Sequence, residues 1–453
     1  MLHGVGKKIR LFLFSYFFSE SDASKMRFWL GGGLDAFFSD FVVFNLRSQF
    51  DQRHLQLQLS SLSCKLRVRH EGFCLKLFWD ERLVGGSSKN DSLQKYLMTM
   101  GRYEIYFRRI SACMPANIVL KKEKFDRALQ YIAYLFDCYE INSADACVFH
   151  GNHPLLDLAR EFLRVQGVRT VFSEYGELPN TMMLSERTLF HDSWPRVEKD
   201  FFHRLPLKRS EFKSAARILD KIIEGNRLHD HRTCEANDDK GFAVDPGKFS
   251  AVVYVNGIEP ILSGLFPRSA QESKRISPWF MTNQHLLDHV AEIAERHNFL
   301  VLYKDHPGVF SSGRRRVESD SRFVRVIDKN IGLYEILDIA DVMVSLSSKS
   351  IIFALLKGVP VCIPGTFTIP ADLTPGVYEG LALERNLLTA LSFERNARVD
   401  KRLLYEFLAR LLRFYLYPVD HLRGSLTAFG YRSPYADLYS YVTGERKRVS
   451  VAD

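Results

Sequence analysis

The stretch Ala144-Asp145-Ala146-Cys147-Val148-Phe149-His150-Gly151, continued by Asn152-His153-Pro154 and then by Val168 to Ser173, decides the fold. Its first part is a short apolar run closed by a glycine, which predicts a buried strand. Pro154 suits the first turn of a helix, and Leu155, Leu156, Leu158, Ala159, Phe162 and Leu163 share one helical face until Gly167 stops it. Val168 to Ser173 reads as the next strand. Residues 144–173 therefore form a β-α-β unit of the length a parallel crossover requires.

Working outward, Phe125 to Phe136 carries apolar residues at helical spacing, whereas residues 1–110 are rich in Phe, Leu and Arg with mixed periodicity and yield no assignment. Downstream, the polar stretch Asn226 to Gly247, with Asp245-Pro246-Gly247 at its end, is the best linker in the chain. Beyond it the pattern restarts. Strands are expected at Ala251 to Val255, Phe299 to Tyr303, Phe323 to Ile327, Val342 to Ser345 and Val359 to Ile363. Helices are expected at Thr282 to His297, Gly332 to Ile339 and Ser350 to Lys357. Strands alternating with helices mean parallel sheets covered on both faces. The expected class is α/β with two Rossmann-like domains, residues 1–240 and 249–400, and a helical C-terminal segment over 401–453.

The 453 residues are 46% apolar and 25% charged, which excludes wholesale disorder and leaves enough chain for two cores. Lys and Arg outnumber Asp and Glu by 62 to 53, a net +9 that suits an anionic partner such as a phosphate-bearing nucleotide or an anionic membrane face. Nucleic acid is not expected. The basic residues are scattered, apart from runs such as Arg314-Arg315-Arg316 and Arg446-Lys447-Arg448, and no nucleic-acid-binding motif accompanies them. Seven cysteines, odd in number and without a C-x-x-C pair, read as reduced buried thiols. The run Leu11 to Phe18 follows Lys7, Lys8 and Arg10 and so imitates a secretory signal. It falls short of the roughly 20 residues that span a bilayer and lacks a cleavage site, so a buried strand or helix start is expected, in a cytoplasmic chain.

In open parallel sheets ligands bind beyond the carboxyl ends of the strands, which singles out four places. In Ser173-Glu174-Tyr175-Gly176-Glu177-Leu178-Pro179 a carboxylate leaves a strand end, followed by glycine for close approach and proline to fix the turn, as a general base requires. A solvated turn glutamate fits the same letters. In Tyr303-Lys304-Asp305-His306-Pro307-Gly308 an ammonium and an imidazole at one strand end can both donate to a phosphate; most such His-Pro pairs are plain turns. Ser345-Leu346-Ser347-Ser348-Lys349-Ser350 lies between a strand and a helix, where hydroxyls and free N–H groups suit an anion. A serine cap accounts for one of those hydroxyls. In Asn256-Gly257-Ile258-Glu259-Pro260, Gly257 allows a ligand or a facing domain near the backbone, or marks an ordinary turn.

Together these places resemble the bacterial capsule polysaccharide biosynthesis family, grouped with Kdo and sialic acid transferases of the GT-B fold. The matching residues are Phe172 to Gly176 with Pro179, Asn256-Gly257 through Ser263, Thr282-Asn283 with Leu286-Leu287 leading to Tyr303-Lys304-Asp305-His306-Pro307, and Ser347-Ser348 with Ala354-Leu355-Leu356, Gly358 and Pro360-Val361. The similarity covers roughly residues 145–370. It implies a cytoplasmic glycosyltransferase that takes a nucleotide-activated sugar, often CMP-linked in the nearest relatives, and extends a bacterial surface glycan. The implied partners are that donor, a glycan or glycolipid acceptor, and peripheral contact with the inner membrane or capsule assembly proteins. His306, Ser347 and Ser348 would hold the donor phosphate with Lys304, Pro307, Gly257, Glu259 and Ser350 around them, while Glu174 would face the acceptor.

Two departures shape the expected chemistry. Phe353 stands where the family often has a carboxylate that can hold the donor ribose. Pro260 and Ile261 replace the paired aspartates of the retaining Kdo transferases, leaving only Glu259. An inverting displacement with Glu174 as base is therefore the working expectation. No cofactor is implied, and no Asp-x-Asp strand-end loop or His/Cys cluster calls for a metal. Two other readings fit the same residues: a polyol-phosphate transferase of teichoic-acid type, and a non-catalytic scaffold that keeps the cleft. Finally, Lys401 to Tyr417 carries Leu403, Leu404, Phe407, Leu408, Leu411, Leu412 and Tyr415 on one face, which suits a core helix or one lying at a membrane surface.

Overall fold

A computed structural model describes residues 9–15, 38–45, 67–72, 88–113, most of 121–150, 154–179, 181–185, 194–224, 246–257, 282–305, 317–327, 331–346, 348–365, 374, 376–394, 398–418, 437 and 440. Among these, two sheets organise the chain. The first takes β1 (Ile9–Ser15), β2 (Phe38–Asn45), β3 (Arg67–Gly72), β4 (Ala146–His150), β5 (Arg169–Tyr175) and β6 (Thr181–Ser185), in the order β3-β2-β1-β4-β5-β6. The pairs from β3 to β5 are parallel, and β6 turns back antiparallel to β5. The second takes β7 (Ala251–Asn256), β8 (Phe299–Tyr303), β9 (Val324–Val326), β10 (Val342–Ser345), β11 (Val361–Ile363) and β12 (Val377–Glu379), in the order β9-β8-β7-β10-β11-β12 and wholly parallel. In both, the order of appearance reads 3-2-1-4-5 across the sheet, the Rossmann arrangement. The α/β expectation of two Rossmann-like units is met.

The local reasons are those of buried parallel strands. Every residue of β4, β7 and β8 is buried, so neither face of either sheet centre meets water. The run after Lys7 and Lys8 is a strand, β1, with Leu11, Phe12 and Leu13 fully inside. Arg10 locks its start: Nε and Nη2 donate to Asp145 Oδ1 and Oδ2 at 2.8 and 2.7 Å, just before β4. Among the described residues the N-terminal part of the chain thus contributes three strands, followed by α1 (Ser88–Thr99) and α2 (Tyr103–Cys113).

The crossover helix α3 (Pro154–Val165) ends where Gly167 takes φ +73°, as expected. After β6 come α4 (Trp194–Val197), α5 (Lys199–Arg204) and α6 (Arg209–Glu224). In the second unit α7 (Asn283–His297) is capped by Thr282, whose hydroxyl accepts from the His285 N–H at 3.1 Å, and it stops at Asn298 with φ +56°. There follow α8 (Leu333–Ile339), α9 (Ser350–Leu356) and α10 (Leu383–Ser392). The linker stretch lies outside the described residues apart from Pro246 and Gly247.

The C-terminal segment departs from a purely helical reading. Asp400 caps α11 (Lys401–Arg410) by accepting from the Leu403 N–H at 3.1 Å. A π-helical turn over Leu411–Tyr415 then feeds β13 (Leu416–Pro418), which pairs antiparallel with β6 and so returns to the first sheet. The face carrying Leu404, Phe407, Leu408, Leu411, Leu412 and Tyr415 is buried, so it belongs to the core and not to a membrane surface. These residues join Phe12 and Phe149 of the first unit and Tyr254, Ile352 and Phe353 of the second in one continuous apolar cluster. Among the described residues no helix is long and apolar enough to cross a membrane.

Candidate functional site

In the second sheet β7 and β10 are neighbours from which the chain departs to opposite sides, so their carboxyl ends form the switch point where Rossmann sheets take ligands. Asn256 and Ser345 are register partners there. Asn256 Nδ2 donates to the Tyr254 hydroxyl at 2.7 Å, and burial pushes that phenol's pKa up while the Asn256 bond opposes the rise. Among the described residues neither Asn256 Oδ1 nor Ser345 Oγ has a hydrogen-bond partner, although both are buried. Buried unsatisfied groups are rare enough to mark a place worth attention. Gly257 sits in close quarters: a Cβ would stand 3.2 Å from the Leu346 backbone nitrogen, a tight contact, and 3.6 Å from Asn283 Oδ1. Its carbonyl accepts from Asn283 Nδ2 at 3.2 Å, which pins the end of β7 to the start of α7.

The serine loop emerges beside it. Ser348 Oγ lies 2.6 Å from Ser350 Oγ and accepts from the Ser350 N–H at 3.2 Å, so these two hydroxyls are held by each other. The helix that follows has only seven residues, and Lys349, at its N-cap position, makes no side-chain cap. At the end of β8, Lys304 is 7% exposed and its ammonium donates to the Ile331 carbonyl. The neighbouring Asp305 accepts from the Tyr303 hydroxyl at 2.7 Å. Glu259, His306, Pro307 and Ser347 lie outside the described residues.

The first sheet presents Glu174 differently from its expected place after a strand. β5 runs on to Tyr175, and Glu174 pairs in register with Met183 of β6, so a hairpin holds the carboxylate inside a strand. The Tyr175 N–H donates to Glu174 Oε1 at 2.9 Å. Gly176 is needed for the turn: a Cβ there would fall 2.0 Å from Thr181 Oγ1, and its N–H donates to the Thr181 carbonyl at 2.8 Å. The glycine accommodates the hairpin, where the sequence suggested the approach of a ligand. Beside it, buried His150 Nδ1 lies 3.1 Å from Ser173 Oγ, with the Tyr175 ring edge-on at 5.4 Å. Sequence reasoning missed His150 as a site residue, although it ends the strand next to β5 at the same level as Ser173.

The two units meet at these strand ends. Lys349 Nζ donates to the Tyr175 carbonyl at 2.6 Å and stands 3.8 Å from Glu174 Oε1. Further along, Arg196 of α4 makes a two-pronged pair with Glu379 at the end of β12, at 2.7 and 2.8 Å. Glu174 and the serine loop are therefore brought together, with Lys349 as the link; the sequence pointed to the first two and passed over the third. Phe353, which stands where the family often has a carboxylate, is 1% exposed within the shared apolar cluster and packs against the Tyr334 ring at 6.0 Å, in keeping with the expectation that recognition at this position differs. Among the described residues no cluster of His, Cys, Asp and Glu could hold a metal.

Two Rossmann-like units meeting at their carboxyl ends, with the chain returning from the second to the first, define a two-lobed α/β protein. No family model matches the chain. No curated protein matches it either. Among solved structures it is similar to the Thermosulfurimonas dismutans KpsC beta Kdo 2,7 transferase, at 16% identity over 70% of this chain and 90% of that one, TM-score 0.39. It is also similar to the Methanocaldococcus jannaschii UDP-GlcNAc 2-epimerase, at 9% identity over 89% and 99%, TM-score 0.36. A third is a glycosyltransferase from Rickettsia africae, at 8% identity over 97% and 100%, TM-score 0.33. Similarity at this level says nothing of activity.

Proposed function

We propose that this chain is a glycosyltransferase that moves a sugar from a nucleotide donor, CMP-linked in the first instance, to a glycan or glycolipid acceptor of a bacterial capsule or surface polysaccharide. The donor belongs to the second unit, at the switch point of Asn256, Gly257 and Ser345, with the serine loop and His306 toward its phosphate. The acceptor belongs to the first, beside Glu174. In this scheme Glu174 takes the proton of an acceptor hydroxyl as its oxygen attacks the anomeric carbon. The nucleotide leaves from the opposite face, which inverts the configuration. Charge developing on the leaving phosphate is offset by His306 and the loop hydroxyls, a role that needs neither metal nor cofactor.

One observation carries the reading: a carboxylate held by the first sheet and the serine loop of the second lie within a single ion-pair distance, 3.8 Å between Glu174 and Lys349. Two groups of complementary use, on chain segments some 175 residues apart, converge where Rossmann sheets take ligands. The test begins with melting curves against a panel of nucleotides, since a ligand of the folded state raises the midpoint. Turnover follows with the nucleotide that stabilises most. His306→Ala is expected to collapse turnover by about a hundredfold or more while leaving the melting curve intact; unchanged turnover would remove His306 from the scheme. Nucleotide binding with no transfer to any acceptor would leave a scaffold, and a phosphodiester product would replace the glycosyl reading by a polyol-phosphate one.

A further inference from the structure

The cation of the serine loop has a choice of partners. Lys349 reaches from the second unit to the first, where its Nζ donates to the Tyr175 carbonyl at 2.6 Å, lies 3.8 Å from Glu174 Oε1 and stands 5.4 Å from the Tyr175 ring centroid. Its side chain is 20% exposed and that of Glu174 12%, so the pair is screened less than a surface one. An ammonium on a four-carbon stem carries three rotatable donors and can change partner without moving its backbone. Beside it on the same loop, the hydroxyls of Ser348 and Ser350 are tied to each other, and Lys349 is the charged residue of the segment Ser345 to Ser350.

We propose that Lys349 is an exchangeable cation shared by the two units: a phosphoryl group arriving at the serine loop takes its ammonium, and Glu174 is thereby released for the acceptor. The inference rests on the serine loop being the donor side, and it makes donor binding the event that frees the candidate base. No bond is made or broken; one charge-assisted contact replaces another. Because Glu174 and the anion compete for one ammonium, each must weaken the other's hold by the same factor.

That reciprocity gives the test. The full chain is titrated calorimetrically with CMP and UDP, with cytidine and uridine as uncharged counterparts and inorganic pyrophosphate as a base-independent probe. The proteins are the unmodified chain, Glu174→Gln, Lys349→Met, Lys349→Arg and the double variant carrying Glu174→Gln with Lys349→Met. Glu174→Gln is expected to tighten nucleotide or pyrophosphate binding about threefold, the scale of a partly screened ion pair. Lys349→Met is expected to weaken it about tenfold, and Lys349→Arg to recover most of the loss. In the Lys349→Met background Glu174→Gln is expected to change nothing, and nucleoside binding is expected to ignore every variant.

A Glu174→Gln protein that binds the anions no more tightly, a Lys349→Met protein that binds them equally well, or an unmodified chain that binds none of them would each overturn the proposal. Where Lys349→Met melts too low to titrate, the Glu174→Gln and Lys349→Arg arms still decide. Coupling without sugar transfer would leave this inference standing and end the glycosyltransferase reading. Transfer without coupling would do the reverse.

Discussion

At the scale of single residues, the chain uses its special residues mainly to hold its own backbone and core. Gly176 makes room for Thr181 and Gly257 for Leu346, each where a Cβ would meet a neighbour at short range. Phe353 fills the shared core against Tyr334. Phe353→Ala is expected to cost about 3–5 kcal/mol, the range for emptying a buried aromatic site, read as a lower urea midpoint at unchanged slope. A loss below about 1 kcal/mol would show that the residue is not core. Cys147 and Cys362 are buried, and burial pushes both thiols well above their ordinary range, which leaves almost no thiolate near neutrality. Mass-mapped alkylation of the folded chain is expected to leave both unlabelled, with labelling only in denaturant.

Among elements, the junction of α7 and α10 shows how helix ends are used. Arg296 and His297 close the last turn of α7, while Glu384 opens the first turn of α10, so each charge opposes its own helix dipole. The contacts are 2.9 Å from Arg296 Nη2 and 2.8 Å from His297 Nε2. The hydrogen bond from Arg296, and after it that from His297, hold the Glu384 carboxyl below the usual carboxylate range. A depressed folded pKa contributes stability above the unfolded pKa and loses it as pH falls through the folded one. Glu384→Gln is thus expected to lower the melting temperature slightly near neutrality, with the gap closing in acid below the carboxylate range. A gap that persisted there would mean that packing, not charge, carries the junction.

For the whole molecule, α11 is one of the members that join the two units. It packs on α6 of the first unit and on α9 of the second before the chain closes the first sheet with β13. Polar ties run beside it: the Tyr405 hydroxyl to Asp220 at 2.8 Å, Arg413 to Glu211 at 3.0 Å and the Tyr334 hydroxyl to the Ile222 carbonyl at 3.0 Å. A shared apolar cluster couples the unfolding of the parts that share it. Leu408→Ala is accordingly expected to cost about 2–5 kcal/mol and to move a single calorimetric transition as a unit. Two separated transitions would show that the units unfold independently.

What the amino-acid order determined by itself is the alternation of strands and helices over residues 144–173 and 251–363, because burial on both strand faces and one-sided helix burial each leave a local period in the chain; β6, α4 to α6, β12, α10 and β13 emerged only in the structure. The strand ends that carry Glu174, Gly257 and the serine loop were legible for the same reason. Residues 1–110 were not, since strands lying side by side without a clear period between them are recognisable only once paired. Tertiary structure alone decided that a hairpin draws Glu174 into β5, that His150 stands beside Ser173, that Phe353 faces the core, and that Lys349 reaches the opposite unit. Those outcomes depend on how elements far apart in the chain pack. A side chain's neighbours across such a seam are set by crossing geometry and contact, which leave no spacing in the sequence to read.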